Sequence, residues 1–418
     1  MSIAWRWLSR LLLLLLALLL AVAALWAYGR LTSPTPAQRE AVALMQARPP
    51  QPAGDNGFDV LMDMPAPPDA GAPPLPVCGD NVSCIAVIES APEQASAAIA
   101  ARRDWLESGA RALRAPAFRD LRGEATAADS LPPYQAMTQT RVLRAFDFAT
   151  GQTTAALAAA CEDALGAVRR ASDPDVLIDG MLGLAVFRQH VALIPDMRRR
   201  APADPLPAAC LALADSPDPA AEGTLCPALR GEWHWLTRVM ADMNAQVSSD
   251  APAWSLPLLH DPDWLMARTA ERFAPHCGKA AADAAREDDA IEFALVEPRW
   301  VDRVAHPVSV ILDQIAAPAY SSYAERQLDF VAQRRLLAAF LRMEAMDAAL
   351  SNAQCFEALP AALRDGPRPL RFDPATDRLS VALRDRGVGQ ASGEAVLALP
   401  PRAVPPPVDA PAAPAAEP

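Results

Sequence analysis

Residues Leu11 to Gly29 (LLLLLLALLLAVAALWAYG) run without a single charged side chain. As a helix these nineteen residues reach roughly 28 Å at about 1.5 Å each, close to a bilayer's hydrocarbon thickness. Arg6 and Arg10 precede the run, so the positive-inside bias predicts an amino terminus on the cytoplasmic side. Trp5 and Trp7 stand at one end and Trp26 and Tyr28 at the other, where interfacial anchors belong. The competing reading is a cleaved signal peptide with Ala21-Val22-Ala23 as its small-residue site. A cleavable apolar region usually spans about 7–15 residues, and this run continues past Ala23, which favours an uncleaved anchor over 11–29. Either reading exports everything after Arg30.

Export makes disulfides available to the seven cysteines. Cys78 and Cys84 flank the turn-forming Gly79-Asp80-Asn81, and Cys210 and Cys226 flank an Asp/Pro/Gly-rich connection, so both pairs are candidate staples. Cys161, Cys277 and Cys355 remain, which leaves at least one thiol unpaired or paired between chains. Spacing alone does not fix the connectivity.

Proline, at 42 of 418 residues, concentrates on either side of a long helical region. Residues 1–10 read as a cytoplasmic end and 30–80 as a Pro-rich linker, opened by a short helix at Pro36–Arg48 and carrying a short docking segment near 56–64 where Phe58, Leu61 and Met62 fall at helical spacing. Residues 81–365 read as a helical domain. Leu157, Ala160, Cys161, Ala164, Leu165 and Val168 share one helix face, and the preceding Val142–Ala149 face makes a helical hairpin about Gly151. Further helices are expected at Ala97–Leu113, Val176–Leu193, Cys226–Gln246, Pro262–Arg286, Pro307–Ala316 and Ala319–Leu350. Alternation around Asp373-Pro374-Ala375-Thr376-Asp377 predicts one β-hairpin within 366–385, and 386–418 reads as a Pro/Ala-rich tail. The fold class is thus all-α, an irregular helical array or bundle with a locally tetratricopeptide-like hairpin, one small carboxyl-terminal β-hairpin and an amino-terminal transmembrane helix.

With 38 basic against 50 acidic residues, the chain lacks the positive surface that a nucleic-acid partner requires. The five histidines include no pair at i, i+4 and no HExxH, so no metal site is assigned, and His276-Cys277 reads as a packing pair at a helix end. Gly387-Val388-Gly389-Gln390-Ala391-Ser392-Gly393 departs from the dinucleotide fingerprint by one residue and reads as linker, so no cofactor is assigned. No catalytic residue stands out. Candidate partner-binding residues are the aromatic cluster Trp233-His234-Trp235 and the basic run Arg198-Arg199-Arg200, each of which also suits a purely structural role.

Three patches resemble a family of single-span, mostly helical envelope proteins of proteobacteria. They are Asn56-Gly57-Phe58…Leu61…Met64, His306-Pro307-Val308…Leu312…Tyr320…Tyr323…Arg326…Asp329, and Arg364-Asp365-Gly366…Pro369-Leu370-Arg371-Phe372-Asp373. The chain departs from that pattern at His306, where the relatives carry Asn, and at Gly366-Pro367-Arg368, where they have an aromatic-Thr-Gly step. The resemblance implies a single pass through a bacterial inner membrane with the carboxyl-terminal domain periplasmic, and it carries over no catalytic residue. The expected function is that of a membrane-anchored, non-enzymatic scaffold or adaptor whose helical domain binds a protein or envelope component. The alternatives are a cell-envelope hydrolase using unidentified carboxylates, or a structural subunit of a secretion or division assembly. A cleft with two or more convergent titratable groups would mark the hydrolase, and an apolar or Arg-rimmed groove would mark the binding module.

Overall fold

The computed structural model describes residues 3–47, 53–65, 71–79, 82–120, 132–250, 259–293, 296–316, 320, 322–384 and 393–402. The chain is mostly helical, with a small antiparallel sheet near the carboxyl end. Helix α1 (Ile3–Leu31) is continuous and apolar, with mean hydropathy 2.7 over its candidate span. By length and composition it is able to cross a membrane, and its most apolar stretch is not buried in the protein.

Helix α2 (Pro36–Gln46) begins with a capping box: Thr35 Oγ1 accepts from the Gln38 N–H and Gln38 Oε1 from the Thr35 N–H. Its apolar face buries Ala41 and Met45. Helix α3 (Gly57–Met62) shows why an Asn-Gly-Phe island interrupts the Pro-rich stretch. Asn56 accepts from the Arg119 N–H at 2.9 Å and donates to the Arg119 carbonyl at 2.8 Å. A side chain on Gly57 would place its Cβ 2.3 Å from the Ala112 carbonyl oxygen, so only glycine lets α3 seat. Phe58 then meets Phe118 edge-on at 5.9 Å.

Helices α4 (Cys84–Ser90), α5 (Pro92–Ala100), α6 (Arg103–Arg114), α7 (Thr140–Ala149), α8 (Thr153–Ser172) and α9 (Leu177–Arg200) build most of a large core. The α7–α8 hairpin turns at Gly151 with φ +94°, a left-handed conformation that glycine adopts without strain. Helix α9 matches a membrane span in length, yet 56% of that window is buried, and it is a core helix. Helix α10 (Ala208–Leu213) closes one side of this core.

A second, smaller core forms from α2, α11 (Cys226–Asp250) and α12 (Pro262–Phe273), around Met45, Leu229, Trp233 and Phe273. Helices α13 (Gly278–Arg286), α14 (Trp300–Ala305) and α15 (Pro307–Ala316) follow. Helix α16 (Tyr323–Glu344) then runs through the large core, buried on every side, and its polar residues clasp neighbouring helix ends. Gln327 donates to the Ala171 carbonyl and Arg334 to that of Leu213. Helix α17 (Asn352–Glu357) leads to the sheet, in which β1 (Arg371–Asp373), β2 (Arg378–Ala382) and β3 (Glu394–Ala398) lie in that order, all antiparallel.

The structure corrects several expectations. The segment near 56–64 docks as expected, as α3 in the large core, but 30–80 is not otherwise a tether throughout, because the helix α2 packs into the small core. The predicted hairpin is a three-stranded sheet. Its third strand comes from the stretch read as tail, because Leu397 and Leu399 are apolar enough to be buried. The Gly387–Gly393 loop, except Gly393, and residues 403–418 lie outside the described residues. The helix expected over Ala97–Leu113 breaks at Ala101-Arg102, where Arg102 turns back to donate to the Pro73 and Ala72 carbonyls. The one expected over Pro262–Arg286 breaks at Pro275 and at Gly278, whose φ is +81°.

Cys78 is bonded to Cys84, but Cys210 and Cys226 are not partners. Cys210 pairs with Cys161, fixing α10 to α8 within the large core. Cys226 pairs with Cys277, tying the start of α11 to the end of the α12 segment beside the small core. Their intervening connection carries the chain from one core to the other, so it separates the two cysteines instead of closing a loop. Cys355 is a buried free thiol.

Candidate functional site

A groove of about 470 Å³ opens where α9, β3 and the starts of α4 and α7 meet. Helix α9 contributes Ala192, Leu193, Pro195, Asp196 and Arg199 to one wall. Pro195 has no N–H to give the Val191 carbonyl, so the helix ladder is interrupted beside the groove. Strand β3 contributes Val396, Leu397 and Ala398 to the facing wall, with Arg378 from β2. Ser83, Cys84 and Arg141 complete the lining with Val82.

The sheet's register decides what β3 presents there. Leu383 N–H donates to the Gly393 carbonyl at 2.7 Å, and Leu399 N–H to that of Asp377 at 2.9 Å. With Leu379 opposite Leu397 and Val381 opposite Ala395, these bonds make Ala395 and Leu397 the residues paired to β2. Alternation then turns the N–H and C=O of Val396 and Ala398 to the outer edge, and both residues line the groove. Because β3 is last in the sheet, no described strand covers that edge.

Electrostatically the groove is a basic spot on a chain of net charge −12. Arg141, Arg199 and Arg378 face one carboxylate, Asp196, among the lining residues. That carboxylate is spent locally, accepting from the Ser83 hydroxyl at 2.5 Å and from Arg199 at 2.9 Å. Arg141 is anchored by donating to the Cys78 carbonyl, and Arg378 stands exposed on β2. Glycan hydrolysis needs two carboxylates working across a cleft, and this lining offers one that is already engaged.

Of the candidate partner-binding residues read from sequence, Arg199 alone lines this groove. Arg198 is buried against Glu344 at 3.2 Å and donates to the Asp204 carbonyl, while Arg200 pairs with Glu89 at 2.8 Å. Trp233 is core, its indole N–H donating to the Met266 carbonyl at 2.9 Å, with His234 edge-on to it and Trp235 half-buried. Sequence reasoning passed over Arg141, Arg378 and Val396. Each is ordinary in its own segment, and only the tertiary fold brings them together.

A second cluster lies where α1 meets the domain. Gly29 packs on α14 so closely that a Cβ would come 2.5 Å from that of Ala305. Arg30 donates to the Ala305 carbonyl at 3.1 Å, pairs with Asp261 at 2.7 Å and lies over Trp26 at 5.3 Å. Asp261 also faces His306 Nδ1 at 3.2 Å, and the His306 ring stacks on Trp264 at 5.0 Å. Burial opposes ionisation of Asp261, but His306, the Trp264 N–H and Arg30 outweigh it and hold the carboxyl down to about 2. Ser309 accepts from the Asp261 N–H and donates to its carbonyl, with His260 Nδ1 at 3.0 Å. Serine, histidine and aspartate converge here, but the hydroxyl is wholly buried and its bonds are used to hold Asp261. The cluster is a structural clasp on the base of α1. Tyr28, Arg6 and Arg10 remain exposed along that helix.

No family model, curated protein or solved structure matches the chain.

Proposed function

We propose that this chain is a membrane-anchored adaptor, held by α1 in the bacterial inner membrane, whose periplasmic domain binds an extended acidic segment of another envelope protein in the α9–β3 groove. The carrying observation is the open edge of β3 inside an arginine-rimmed groove. An incoming strand would bond to the N–H and C=O of Val396 and Ala398, and its carboxylates would meet Arg199 and Arg378. Main-chain pairing supplies affinity and the arginines supply selectivity. The three disulfides support an oxidising compartment, and the apolar α1 supports an anchor.

The test is photo-crosslinking in intact cells from a benzoylphenylalanine at Val396, with Leu211 on α10 as an exposed control. One reproducible adduct is expected from position 396, and Arg199→Glu with Arg378→Glu should abolish it. No adduct above the Leu211 control, or one indifferent to the charge reversal, would overturn the reading.

A further inference from the structure

We infer that α14 and α15 form a second membrane contact, a face of the folded domain that lies against the bilayer surface beside the anchor. Val308, Ile311 and Ile315 recur at i, i+3 and i+7 on α15, and all three are exposed, Ile315 by 71%. Asp313, the one charged residue of α15, points away from this stripe, buried and bonded to Arg272. Trp300 on α14 is 65% exposed. An apolar stripe of this kind in water marks an interaction surface.

The anchor's geometry identifies what covers it. Helix α1 is 29 residues long, about 43 Å, against a hydrocarbon layer of about 30 Å. The uncharged run ends at Gly29, which is the residue seated against Ala305. A bilayer spanned by Leu11–Gly29 therefore ends at the level of α14, and α15 begins two residues after Ala305. Its axial rise of about 14 Å over ten residues bounds how far the stripe can lie from that level. Trp300 falls where tryptophan partitions, at the headgroup boundary, and Leu31, the last residue of α1, is 86% exposed. The stripe is thus a shallow interfacial patch, and α14–α15 set the tilt of the whole domain on its anchor. This inference rests on the reading of α1 as a membrane span.

The full chain would be reconstituted, disulfides intact, in phosphatidylcholine–phosphatidylglycerol vesicles, with spin-labelled cysteines introduced singly at Leu16, Leu211, Ile311 and Ile315. The wild-type chain, whose free thiol Cys355 is buried, is the labelling blank. Labels at Ile311 and Ile315 should show an oxygen-to-nickel-chelate accessibility ratio several-fold above that at Leu211, at a depth shallower than Leu16. Water-like accessibility at both positions, with Leu16 still reporting bilayer, would overturn the membrane face and leave the anchor standing. Water-like accessibility at Leu16 would overturn the anchor and the face together. Spin–spin broadening at Ile311 that persists on dilution into micelles would show a second copy covering the stripe, and would also overturn it.

Discussion

Asp179, in the first turn of α9, is a carboxyl group with no exposed surface. One oxygen accepts from the Asp175 N–H at 3.1 Å and the other has no hydrogen-bond partner among the described residues. Burial drives its pKa up to about 7, against the pull of Arg170 and Arg119. In the unfolded chain it titrates near 4. Between those values the folded state keeps a proton that the unfolded state releases, so stability falls as pH rises from about 4 to about 7. Asp179→Asn removes that titration, preserves the shape and keeps an oxygen to accept from the Asp175 N–H. Calorimetry at pH 5 and pH 8 should show a wild-type melting temperature lower at pH 8, and a variant that recovers several degrees there while changing little at pH 5. Parallel profiles for the two chains would remove Asp179 as the source. Nothing in the sequence marks this aspartate, since a carboxylate early in a helix ordinarily complements the dipole in water. Its burial follows from the packing of α9 on α8, where Gly183 allows the two backbones to close.

Disulfides and the sheet edge carry the predictions that belong to single elements. Non-reducing peptide mapping should recover 78–84, 161–210 and 226–277, with Cys355 alkylatable only after unfolding. In the chain-entropy account, closing the 49-residue separation is worth about 4 kcal/mol and the six-residue one about 2 kcal/mol. Urea unfolding of Cys161→Ser with Cys210→Ser should therefore show roughly twice the loss seen for Cys78→Ser with Cys84→Ser, and equal losses would argue against loop entropy as the cause. At the sheet, Val396→Pro removes an N–H facing the groove and spares the ladder to β2, so it should abolish crosslinking from a neighbouring position without unfolding the chain. Leu397→Pro removes a ladder donor and should lower the melting temperature sharply. Periodicity made the α7–α8 hairpin and the β1–β2 turn legible, because each is a local pattern. The third strand and two cysteine pairings were not, because they depend on which elements meet across a long separation. The breaks at Pro275 and Gly278 had an ordinary sequence signal, and the break at Arg102 had none until its carbonyl partners were in view.

At the scale of the molecule, the chain leaves the base of α1, contributes α2 to the small core, crosses to build the large one, and returns through α11 and α12. The clasp of Gly29, Arg30, Asp261 and His306 therefore joins α1 directly to the small core and only indirectly to the large core and its groove. A leucine at position 29 has no space without moving α14, since even its first carbon would overlap that of Ala305. Gly29→Leu should thus loosen one half of the protein selectively. Hydrogen exchange on the full chain in detergent should quicken across 261–273 and 300–316, while 153–172 in α8 keeps its protection. Arg30→Ala, which loses the ion pair but not the close packing, should show the same pattern more weakly. If both variants exchange faster throughout, the two cores unfold as one unit and the seat of α1 is felt equally at the groove. If neither changes, α1 is only tethered to the domain, and the close packing of Gly29 on α14 does not fix how the two sit together.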